Sequence, residues 1–157
     1  MMQIYPEVLI RSILGPGRSN TRPFAYAVYI TAERLFVQHM TIDELLFTKD
    51  IYCAVAKRLG GHPDSITRQI ERVAGRCREK LCKEGLSRRY LGRAGGGSCS
   101  PHMLIICFAV YAYLGTPFYE ALSLYPELFA GRPPRGAHVA AAPRFCAPGP
   151  EGGSPAP

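Results

Sequence analysis

The sequence predicts an all-α fold: a compact multi-helix domain over residues 1–130 containing a helix-turn-helix, with a disordered tail over residues 131–157. Three observations carry that expectation. Apolar residues recur at helical spacing, and strand-like alternation is scarce. Gly and Pro breakers close the periodic stretches at GPG (15–17), Gly60-Gly61 and GTP (115–117). From Gly131 onward, 18 of 27 residues are Gly, Pro or Ala, too little apolar surface to offset the entropy of ordering the chain.

The elements follow in order. Glu7 to Leu14 reads as a short helix, and Pro23 to about Val37 as an amphipathic one with Ala27, Ile30, Leu35 and Phe36 on its apolar positions. Thr48 to Leu59 follows, with Thr48 as N-cap and the glycine pair as the stop. Pro63 to about Leu81 is the next helix, since proline suits a first turn. Gly85 to Ser98 reads as loop, with a turn of helix around Leu86 to Leu91. Ser100-Pro101 opens an apolar helix to Leu114, and Phe118 to about Phe129 forms one more. The 12-residue run from Met103 falls short of the roughly 20 apolar residues of a membrane span, so it is expected to pack in the core or at a dimer seam.

The charge is uneven. Residues 57–93 hold 11 of the 19 Lys and Arg residues against four of the 12 acids, so this segment carries the whole formal net charge of +7. A basic charge confined to one segment suits a polyanion such as nucleic acid, or a solvated face that keeps the chain in solution. The six cysteines form no CxxC pair, and with four histidines they give no zinc-ligand spacing. Residues 1–14 lack the pattern of a signal peptide, which implies a reducing cytoplasm and no disulfides.

The two helices flanking Gly60-Gly61 are the informative part. Ile66, Ile70, Val73, Cys77 and Leu81 follow at steps of four, three, four and four, one stripe that must face the core. The opposite side carries Ser65, Arg68, Gln69, Arg72 and Arg76. The preceding helix buries Ile51, Val55 and Leu59 and brings small Ala56 for close approach. This is the plan of a helix-turn-helix, in which the second helix enters a major groove. Arg pairs with guanine O6 and N7, and Gln with adenine N6 and N7. Arg68, Gln69 and Arg72 sit early in the helix, where base edges are read. Arg76, Arg78 and Lys80 sit where phosphates lie, and Lys57, Arg58, Arg88 and Arg89 are placed to add backbone contacts. Arg72 and Arg76 have an alternative role in pairing with Glu71 or Glu79. Glu71 repels phosphate unless it accepts from cytosine N4 or pairs with a neighbour. Asp64 reads as a cap, and His62 as a capping or surface group.

The block LFTKDIYCAVAKRLGGHPDSITRQIERVAGRCR resembles the helix-turn-helix of the C-terminal effector domain of the stage-zero sporulation response regulator family. Tyr52, Val55, Ala56, Lys57 and Arg58 match that family's first helix, with Cys53 where it favours Pro; Ile66, Arg68 and Ile70 match the second in kind. AYAVYITAERLFV from Ala25 and SPHMLIICFAVYAYL from Ser100 resemble flanking helices, so the likeness spans about residues 7–114. It implies an all-helical, winged-helix-like effector domain that binds a short element of double-stranded DNA, usually as a tandem homodimer, and regulates transcription in a bacterial cytoplasm. The family's first recognition arginine falls on Ser65, its glutamate on Thr67, its later arginine on Glu71 and its histidine on Arg72, so only Arg68 carries across as a matched base contact. Met103, Leu104 and Ile105 stand where the family is polar, which implies extra apolar surface for a partner or dimer seam. With only a few residues before the module, the chain is expected to act without a receiver domain of its own.

A protein-interaction module on the same fold is the competing reading, and RNA binding a third, lacking an aromatic platform beside the basic residues. No paired carboxylates, nucleophile-base set or phosphate-cradling glycine motif is present, so neither catalysis, a cofactor, a metal nor a small-molecule substrate is expected.

Overall fold

The computed structural model describes residues 2–93 and 99–127. Among the described residues the α-helices follow in order: α1 (Pro6–Leu14), α2 (Arg22–Ala32), α3 (Tyr52–Leu59), α4 (Pro63–Lys83), α5 (Ser87–Leu91), α6 (Pro101–Leu114) and α7 (Phe118–Leu124). There is no strand among the described residues. The tail expected at 131–157 lies outside them.

Helix α6 organises the core. It is apolar on every side, and each residue from Leu104 to Val110 is buried, as a helix enclosed by others requires. Helices α2 and α4 pack against α6 and against each other, α1 lies across all three, and α3 rests on α2 and α4. Helices α5 and α7 pack on each other and close the far side of α6. Phe24 of α2 meets Phe108 of α6 edge to face, their ring centroids 5.8 Å apart, an arrangement favoured by the ring quadrupoles. Leu104 and Ile105, expected as extra apolar surface, lie wholly in this core, and Met103 is half-buried against it. Leu104 and Ile105 therefore offer no exposed apolar surface; their apolar character serves the enclosure of α6.

The helix limits show which local signals were sound. Ser100 caps α6, its hydroxyl accepting from the Met103 N–H at 3.1 Å. Gly60 and Gly115 end α3 and α6 with φ of 75° and 72°, a conformation only glycine adopts without strain. Thr48 is not an N-cap. The chain enters α3 through a π-helical turn, Phe47–Ile51, with Thr48 inside it and its carbonyl accepting from the Cys53 thiol at 3.3 Å. A second π turn, Glu33–Val37, prolongs α2 as the periodicity to Val37 requires. Helix α7 stops at Leu124 rather than near Phe129, because Pro126 keeps the preceding Tyr125 out of helical conformation at φ −133°, ψ 69°.

No single described helix is long and apolar enough to cross a membrane. Helices α6 and α7 reach that length only together, and they are bent 65° apart.

Candidate nucleic-acid interface

Helix α4 stands where its apolar stripe places it. Its stripe of Ile66, Ile70, Val73, Cys77 and Leu81 is buried, joined by Ala74, and this seam seats the helix against α1, α2, α3 and α6. Tyr52, Val55 and Ala56 are buried from the α3 side, while Leu59 is only half-buried. Gly60, Gly61 and His62 make the turn, with the N–H groups of both glycines bonded to the Ala56 carbonyl at 2.8 and 3.0 Å. His62, not Asp64, caps α4: its Nδ1 accepts from the Asp64 N–H at 3.2 Å. Pro63 fills the first helical position, where its missing N–H costs nothing.

The polar side of α4 divides into a crest and two flanks. Arg68 and Arg72 stand on the crest, exposed and one turn apart, and neither guanidinium has a hydrogen bond or ion pair to another described residue. Gly75 and Glu79 continue that line. On one flank the side chains are held by the loop between α1 and α2. The Arg76 guanidinium donates to the Ser19 hydroxyl. The Gln69 amide accepts from Asn20 at 3.5 Å and donates to the Ser65 hydroxyl at 3.3 Å. On the other flank, Arg78 donates to the Cys99 carbonyl at 3.0 Å. Glu71 belongs to this second flank, where its charge acts on Tyr52 and His102. Burial chiefly raises the Tyr52 phenol, with Glu71 adding to the effect. Burial chiefly lowers the His102 imidazole, with Glu71 opposing it. Neither Arg72 nor Arg76 pairs with Glu71 or Glu79.

The remaining cations are spread more widely. Lys80 pairs with Glu84 at 2.7 Å one turn on, a half-exposed bridge of small energetic weight. Lys57 projects from the last turn of α3 into solvent. Arg58 lies over the Tyr26 ring, 5.4 Å from its centroid, and so faces α2. Arg88 and Arg89 are exposed on α5, with Arg89 5.3 Å from the centroid of the Tyr90 ring. Sequence periodicity assembled the α4 face but missed the loop that holds it. Ser19 and Asn20 lie 57 and 49 residues before their partners, and beside them Arg18 and Arg22 add two exposed cations. The only local signal for this loop is the polar, glycine-rich run GPGRSN, which marks a turn without saying what it meets.

Among the described residues no group of His, Cys, Asp and Glu is arranged to hold a metal ion. Cys77 and Cys107 are buried free thiols, as their apolar positions imply. No protein-family model, curated protein or solved structure matches the chain.

Proposed function

We propose that the chain is a sequence-specific DNA-binding transcription regulator of the sporulation-effector type. In this reading α3 and α4 form a helix-turn-helix, α3 braces the domain, and α4 lies in a major groove. One observation carries it: Arg68 and Arg72 stand exposed on the α4 crest without a protein partner, while the opposite stripe is sealed in the core. A guanidinium presented this way is free to bond guanine in two places. Ser19 and Asn20 orient Arg76 and Gln69 beside that crest, and Arg18, Lys57, Arg88 and Arg89 supply further charge for phosphates. The resemblance to the sporulation effector domain supports the same reading and extends it to binding as a homodimer on tandem sites.

A second reading is a protein-interaction module on the same fold. It is favoured by the engagement of Gln69 with Asn20 and Ser65, which leaves fewer free base readers on α4. Fluorescence anisotropy with labelled duplexes over a salt series separates the two. A DNA-binding domain loses affinity with a slope of roughly −0.9 in log K per phosphate contact. A slope worth several contacts supports the regulator, whereas no measurable duplex binding at low salt supports the interaction module.

A further inference from the structure

A groove of about 300 Å³, with no α4 residue in its lining, lies where the start of α1, the outer face of α2 and the end of α3 converge. Its walls include three tyrosines, Tyr5, Tyr26 and Tyr29, and two arginines, Arg22 and Arg58, with Glu7 as the one acid. These residues come from three separate helical regions, so the grouping is a product of the fold. The Glu7 carboxylate accepts from the buried Thr21 hydroxyl at 2.9 Å and forms no ion pair with Arg22 or Arg58. Arg22 has no ion pair or side-chain hydrogen bond to a described residue. Arg58 is steadied over the Tyr26 ring and has no side-chain hydrogen bond or ion pair to a described residue, so its N–H donors remain for a ligand. Tyr5 is 72% exposed, a ring left in solvent at the groove mouth.

We propose that this groove binds a small planar aromatic anion, a ring bearing a phosphate or carboxylate and of about mononucleotide size. Two guanidinium groups recognise an oxyanion through paired, charge-assisted hydrogen bonds. Tyrosine rings supply a stacking surface that accepts any flat π-system. The volume sits at the lower end of small-molecule sites, enough for a ring and one anionic group. The rest of the chain is a poor occupant, since residues 128–157 carry Arg132, Arg135 and Arg144 against the single acid Glu151, and like charge opposes entry. The site is independent of Arg68 and Arg72, and its occupation does not require that the chain bind DNA.

The test is calorimetric titration of the full 157-residue chain with four probes: adenosine 5′-monophosphate, adenosine, inorganic phosphate and indole-3-carboxylate. Saturable binding of the nucleotide or of the aryl carboxylate is expected, with adenosine and phosphate weaker by about tenfold or more, because each offers half of the recognition. The stronger of the two anions identifies phosphate or carboxylate as the group held. Arg58→Gln and Tyr26→Leu, each with an unchanged thermal melt, should weaken that binding about tenfold, while Arg68→Gln leaves it alone. Amide shifts on titration should cluster on Tyr5, Arg22, Tyr26 and Arg58. Phosphate binding as tightly as the nucleotide would overturn the proposal in favour of a plain anion site. Failure of both aromatic anions to bind would overturn it too; if Arg58→Gln then weakened duplex binding, the groove would belong to the DNA footprint.

Discussion

The Arg34 guanidinium holds the Asp50 carboxylate through two parallel hydrogen bonds of 2.9 and 3.0 Å, and so ties the π turn after α2 to the π turn before α3. The hydrogen bond from Arg34 keeps the Asp50 carboxyl below its ordinary value of 3.8. A depressed carboxylate stabilises the fold fully above its unfolded value and loses that contribution as pH falls through the folded one. Asp50→Asn should therefore cost about 1 kcal/mol at neutral pH, a figure already reduced for the 37% exposure of the carboxylate side chain. Urea melts of both proteins should converge as the pH is taken below 3.8. A constant difference down to strong acid would show that the ion pair is not its source.

Ile70 is fully buried at the middle of the α4 seam. Ile70→Ala should lower unfolding free energy by about 2 to 5 kcal/mol, the lost transfer energy plus the cavity left behind. Chemical denaturation measures this directly, and a variant of unchanged stability would contradict the packing of α4.

Gly75 lies on the α4 crest, and a methyl group added there meets nothing within 4 Å. Gly75→Ala should stabilise the domain by roughly 0.5 to 1 kcal/mol through helix propensity. The same variant probes the proposed interface: if DNA passes close to the crest, the methyl group lowers duplex affinity while the melting temperature rises. Both readings come from one protein preparation.

Thiol reactivity should follow burial. The Cys77 thiol is pushed up to about 12 by burial, with only partial relief from Arg76, and the Cys107 thiol is raised chiefly by its hydrogen bond with Cys99. Only a thiolate reacts with an alkylating agent, so at pH 8 exposed Cys82 should be labelled ahead of buried Cys77 and Cys107. Cys77 and Cys107 should react only on unfolding. Mass spectrometry of peptides from a labelling time course gives the order, and early labelling of Cys77 would contradict its burial.

The legible part of the fold was the part fixed by local signals. The Ile66 to Leu81 stripe, the helix start at Ser100-Pro101 and the Gly60 stop each follow from residues within a turn or two of one another. What the sequence hid depends on distant contacts. The Ser19 and Asn20 hydrogen bonds to α4 join segments that no helical period connects. The apolar run of α6 admits either a surface or a core in sequence, and only the helices packed around it decide for the core. Arg58 was indistinguishable from its neighbour Lys57 as a phosphate contact until Tyr26 was found beneath it.

Selection of bound duplexes from a random DNA pool, run in parallel with the wild-type chain and Arg68→Ala, tests the proposed function most directly. An enriched motif is expected with the wild-type chain. Arg68→Ala should lose about 1 to 3 kcal/mol on that motif and relax preference at one base pair, with its melting temperature unchanged. No enrichment with the wild-type chain, or equal weakening on every duplex in the variant, would contradict base reading by the α4 crest.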